Sequence, residues 1–186
     1  MSTVEDTNRV DVVVVGGGFA GLRALHTLRE QGLSVAVLEA GPDVGGVWYW
    51  NRYPGARCDV ESYDYSYSFS PELEQDWRWT ERYATQPEIL RYIHHVADRF
   101  DLRRDVHLNQ RMNRATWDDD VARWLVETEA GLRWSAQYLI MATGQLSVTK
   151  DVELPGQDEF TGRVLHTARW PHETVEIGRA SCRERV

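Results

Sequence analysis

Residues 11–21 read DVVVVGGGFAG, and this stretch decides the fold. An unbroken β-branched run from Asp11 to Val15 is the composition of a strand buried on both faces of a parallel sheet. Glycines follow at once, and Phe19, Leu22, Leu25 and Leu28 then recur at helical spacing until Gly32 ends the helix. A second apolar run, Ser34 to Leu38 (SVAVL), completes a strand, turn, helix and strand in about 30 residues. Two parallel neighbours need a crossover, so the unit is a right-handed βαβ.

The glycines at 16, 18 and 21 satisfy GxGxxG. Gly16 permits a tight turn, Gly18 lets a pyrophosphate approach the backbone, and Gly21 lets helix and strand pack closely. The N–H groups at the start of the helix, at Phe19 and Ala20, carry the positive end of the helix dipole. Glu39 closes the second strand 18 residues past Gly21, where a carboxylate accepts bonds from ribose hydroxyls. A Glu there favours a ribose without a 2′-phosphate, which fits FAD, although the motif alone does not separate FAD from NAD.

Composition narrows the partners. The chain has 186 residues, 42% of them hydrophobic, enough for one domain with a real core. Its formal charge of −8 argues against a surface that tracks nucleic-acid phosphates, which needs clustered Lys and Arg. A small-molecule partner is expected instead. No apolar run approaches the roughly 20 residues of a membrane helix and no leader-like stretch opens the chain, so a soluble, cytoplasmic protein is expected. Cys58 and Cys182 make no disulfide framework, and the six histidines show no HxxxH or HExxH spacing, so no metal site is expected.

Further along, residues 1–9 are polar and expected to be frayed. From Gly41 to Thr80 no period is sustained, but Trp, Tyr, Gly and Pro are dense, which marks a functional loop rather than a disordered one. TQPE at 85–88 fits a capping box opening a helix with Ile89, Ile93, Val96, Ala97 and Phe100 on one face. The period then becomes two: Val106 to Trp117, Val121 to Thr128 and Leu132 to Ala136 read as short antiparallel strands with turns at 118–120 and 129–131. Tyr138 to Ala142 (YLIMA) reads as a returning parallel strand that pairs with the strands at 11–15 and 34–38, the meander standing off that sheet. The last eleven residues, EIGRASCRERV, read as the translation of a common sequencing adaptor, so fold reasoning stops near Glu176.

Two long patterns refine the reading. GGVWYWNRYPGARCD at 45–59 matches (A/G)GxWxxxx(F/Y)P(G/M)xxxD at Gly45, Gly46, Trp48, Tyr53, Pro54, Gly55 and Asp59. FTGRVLHTARWP at 160–171 completes FxGxxxHxxxW(P/D) at Phe160, Gly162, His166, Trp170 and Pro171. On these motifs the chain resembles the Baeyer-Villiger monooxygenases, class B flavin-dependent enzymes of the cyclohexanone and phenylacetone monooxygenase type, over essentially all of residues 10–176.

The resemblance implies an α/β, Rossmann-like FAD-binding domain of the two-dinucleotide-binding flavoprotein class, a parallel sheet with crossover helices and an inserted antiparallel meander. It implies residues 10–154 as an incomplete FAD domain and 155–176 as a linker towards an NADPH domain absent from the chain; 177–186 are left to the adaptor reading. In such enzymes NADPH reduces FAD, and one atom of O2 is inserted beside a ketone carbonyl to give an ester or lactone. Gly46, Val47 and Trp48 would lie along the flavin ring, and Asp59 would stand beside flavin and nicotinamide, fixing a catalytic Arg. Tyr65, the backbone of Met112 and Gly144 are further implied FAD contacts, and His166 is implied as a hinge rather than an acid or base. Two rivals remain: a flavin monooxygenase that oxygenates nitrogen or sulfur, and a catalytically inactive nucleotide-binding fragment.

Overall fold

The computed structural model describes residues 7–146, 148–150 and 153–173. Six strands form one mixed sheet in the order β3-β2-β1-β6-β5-β4. They are β1 (Thr7–Val15), β2 (Val35–Leu38), β3 (Val106–His107), β4 (Met112–Asp118), β5 (Arg123–Thr128) and β6 (Arg133–Met141). The helices are α1 (Phe19–Glu30), α2 (Val47–Trp50), α3 (Pro71–Asp76) and α4 (Gln86–Arg99). β1 lies between β2 and β6, parallel to both, with Val15 opposite Leu38 and Met141. The expected βαβ unit is therefore present.

The β-branched run is buried on both sides. Val12 and Val14 pack with Leu22 and Leu25 of α1 and Ile89, Ile93 and Val96 of α4, while Val13 and Val15 pack with Val126, Trp134 and Ala136 on the opposite face. That is why no polar residue interrupts DVVVV.

Several expectations need correction. Strand β1 begins at Thr7, because Thr7 to Arg9 pair with Arg133 to Ser135, so residues 7–9 are not frayed. The runs at 132–136 and 138–142 are one strand, β6, so the meander is hydrogen-bonded to the sheet and folds back over its Val13 and Val15 face. The two halves of β6 look different in sequence because Arg133 to Ala136 pair with β5 as well as β1, whereas Tyr138 to Met141 pair with β1 alone. The expected strand from Val106 to Trp117 is two: β3 extends the parallel side beside β2, and β4 forms the far antiparallel edge. Helix α4 does start after Thr85, but no capping-box bond forms there. Glu88 instead turns away, accepting from Thr80 N at 2.8 Å and Thr80 Oγ1 at 3.0 Å.

The aperiodic stretch from Gly41 to Thr80 is ordered by aromatic packing. Phe19 lies 5.0 Å from Tyr65 and 5.0 Å from Tyr67, and Tyr92 of α4 lies 5.0 Å from Trp79. Such edge and tilted pairs give rigidity without regular backbone pairing. The reading of 177–186 as adaptor lies outside the described residues. Among those described, no helix is long and apolar enough to cross a membrane.

Candidate dinucleotide-binding site

Strands β1, β2 and β6 end at the same sheet edge, and the site is built there. Gly16 leaves β1 with φ +109°, and a Cβ on it would sit 2.5 Å from the Ala142 carbonyl oxygen at the end of β6. A Cβ on Gly21 would sit 1.8 Å from the Gly16 carbonyl oxygen, so both positions exclude any side chain. No side chain caps the N-terminus of α1 and no acid stands in its first turn. The N–H groups of Phe19, Ala20 and Gly21 are thus left to an anion at the positive end of the helix.

Glu39, one residue past β2, is 4% exposed. Its Oε2 accepts from Gly17 N at 2.6 Å and its Oε1 from Gly41 N at 2.7 Å. The carboxylate therefore ties the glycine turn to the next loop, and each oxygen keeps a second lone pair for an outside donor. The carbonyl of Glu39 accepts from Gln110 N at 2.8 Å, and that of Gly41 from Asn109 N at 2.9 Å. These bonds bring Asn109 and Gln110, just ahead of Met112, alongside Glu39 and Gly41.

The Gly45-Gly46 loop docks on the glycine turn. Gly45 N donates to the Gly17 carbonyl at 3.0 Å, and a Cβ on Gly46 would come within 2.9 Å of Gly18 Cα. The missing side chain of Gly18 thus admits another loop of the protein, in addition to the pyrophosphate approach the motif implies. Helix α2 carries the half-buried Val47 and the buried Trp48. Trp48 Nε1 donates to Tyr65 Oη at 3.0 Å, and Gln86 Nε2 donates to the Trp48 carbonyl. Burial pushes the Tyr65 hydroxyl above its ordinary value, opposed in part by the hydrogen bond from Trp48. Asp59, at the end of this loop, is exposed.

Gly144 is exposed with φ +70°, just past β6 on the side of Gly16. His166 lies apart from this group: its Nδ1 accepts from Ala168 N at 3.1 Å and caps a 3-10 turn at Thr167–Arg169. Cys58 is buried, its sulfur accepting from Val60 N at 3.4 Å. Sequence reading missed Tyr67 and Gln86. Tyr67 Oη donates to the Phe19 carbonyl at 2.6 Å and so fixes the first turn of α1, while Gln86 holds α2. Aromatic density in the loop was the available signal for Tyr67; for Gln86 there was none.

A glycine turn into an uncapped helix, with a buried carboxylate at the end of the second strand, defines a dinucleotide-binding protein with the Rossmann-like FAD-binding fold. The chain belongs to the pyridine nucleotide-disulphide oxidoreductase family, whose profile matches residues 13–176. It is 46% identical to the acetone monooxygenase (methyl acetate-forming) of Gordonia sp. (strain TY-5), over 92% of this chain and 32% of that protein. Identity is 49% to a Baeyer-Villiger monooxygenase of Pseudooceanicola batsensis, over 90% of this chain and 31% of that one. A phenazine N-monooxygenase of Lysobacter antibioticus is 43% identical over 89% of this chain and 31% of its own length. Among solved structures, an oxidized steroid monooxygenase bound to NADP superposes with a TM-score of 0.86 at 60% identity, covering 90% of this chain and 32% of that one. The chain thus spans about a third of the length of these relatives.

Proposed function

We propose that this chain supplies the FAD-binding part of an FAD- and NADPH-dependent monooxygenase that inserts one oxygen atom of O2 beside a ketone carbonyl, a Baeyer-Villiger oxidation giving an ester or lactone. The observation that carries the reading is the docking of the 45–59 loop onto the glycine turn, Gly46 against Gly18. It joins a general nucleotide cradle to a loop whose sequence matches the flavin monooxygenase pattern.

The cradle fits the cofactor. The N–H groups of Phe19, Ala20 and Gly21 take the pyrophosphate, and the free lone pairs of Glu39 take ribose hydroxyls. Met112, through its backbone, and Gly144 complete the dinucleotide contacts at the strand ends. Gly46, Val47 and Trp48 lie along the ring system, with Tyr65 holding the Trp48 indole. Asp59 orients a cationic group at the reacting end of the site. Bound FAD supplies the redox and oxygen chemistry, and NADPH the reducing equivalents. The protein's own share is to bind, align and exclude water.

A second reading, oxygenation of nitrogen or sulfur, is favoured by the likeness to a phenazine N-monooxygenase. The test is a product assay of the complete enzyme that carries this chain, with NADPH, O2 and matched ketone and amine substrates. Ester from the ketone is expected. N-oxide as the sole product would establish the second reading instead.

A further inference from the structure

The two long sequence patterns meet through a pair of side chains that neither pattern specifies. Arg52 follows α2, with its guanidinium 4.7 Å from the centroid of the Tyr49 ring. Its Nε donates to the Tyr49 carbonyl at 3.0 Å, its Nη2 donates to the same oxygen, and its Nη1 donates to Nδ1 of His172 at 2.8 Å. The His172 and Tyr49 rings lie 6.1 Å apart. Arg52 has no carboxylate partner among the described residues. One guanidinium thus spans α2 and the segment that carries the second pattern.

Arginine only donates, so His172 Nδ1 accepts and must be unprotonated for the bond to exist. An imidazolium there would face the guanidinium at contact distance. The groups around His172 are Arg52 and Tyr49 from the α2 side and Glu173 from its own segment, the last paired with Arg163 at 2.5 Å.

We propose that Arg52 and His172 form a latch that holds the segment 153–173 against α2, so that the position of that segment is transmitted to Gly46, Val47 and Trp48. Arg52 is the positioning residue, stacked on one element and bonded to the other. The idea deepens the flavin reading, since it is the assignment of 46–48 to the flavin that gives the transmitted movement a consequence.

The 186-residue chain, loaded with FAD, tests this by tryptic cleavage after Arg163 and Arg169 with mass-spectrometric readout. At about pH 8, Arg52→Ala and His172→Ala are each expected to cleave on the order of tenfold faster than the parent, as for a segment released from its docked state. The double variant should be no faster than either single one, because both remove the same bond. Arg52→Lys should recover part of the protection. Both single variants should shift the bound-flavin absorbance in the same direction without changing the amount of flavin held. Parent-like cleavage or additive effects would overturn the latch. A parent chain that holds no flavin would instead sink the assignment of 46–48, and cleavage alone would then decide on the latch.

Discussion

Glu39 has two tasks in one carboxylate. Its oxygens accept backbone N–H groups from Gly17 and Gly41, and the same oxygens are those assigned to the ribose. Replacement by alanine should weaken FAD retention by on the order of 2 to 4 kcal/mol, the scale of a charge-assisted pair. Glu39→Gln is not a neutral control, since an amide NH2 would meet one of two N–H donors. Both variants should therefore lower the thermal midpoint of the cofactor-free chain; an unchanged midpoint for the glutamine variant would contradict the bonding described. Asp59 should behave otherwise, being exposed and bound to no part of the cradle. In the complete enzyme assayed with ketone, Asp59→Ala should leave FAD largely bound while slowing flavin reduction or letting NADPH consumption outrun ester formation, because charge placement at a reacting centre is a large effect. Parent rates with full coupling would reduce the 45–59 loop to a scaffold.

At the scale of elements, the sequence was most legible where one physical demand fixed the residue choice. DVVVV and SVAVL had to be strands because both their faces are buried, and Gly16 and Gly21 had to be glycines because a carbonyl occupies the space of their Cβ atoms. β6 was read as two strands because its pairing partners change half-way, a tertiary fact that alternation does not encode. The capping box failed in the same way. Thr85 and Glu88 have the right spacing, yet the buried Glu88 carboxylate is recruited by Thr80, which packs against α4 from the loop before it. Denaturant unfolding should accordingly show Glu88→Ala costing about 1 to 3 kcal/mol, the penalty for orphaning buried donors, and Thr85→Ala only a few tenths. The opposite order would restore the capping box.

For the whole molecule, the described residues give a sheet whose parallel half binds and whose antiparallel half braces it. Burial holds the imidazoles of His26 and His107 below their ordinary value, opposed in part by Glu30 and Asp105. The unfolded chain therefore takes up protons first as the pH falls through about 6.5, and the stability present above that value is lost on acidification towards the folded values. The urea midpoint should be lower at about pH 5.5 than at about pH 7.5, a window above the range where the depressed carboxylates titrate. A midpoint that rises on acidification would mean these half-buried rings do not set the pH dependence. What a reading of residues alone could not reach was how the loops dock, since Gly46 against Gly18 and Gln86 against Trp48 are contacts between segments with no shared period.

The central claim is that the glycine turn, Glu39 and the docked 45–59 loop together hold FAD. It is tested most directly by loading the chain with FAD, desalting it, and reading flavin absorbance in the protein fraction for the parent and for Glu39→Ala. Near-stoichiometric flavin in the parent, most of it lost in the variant, is the expected result. A parent that elutes free of flavin while retaining NAD, or a variant that holds flavin as well as the parent, would contradict it.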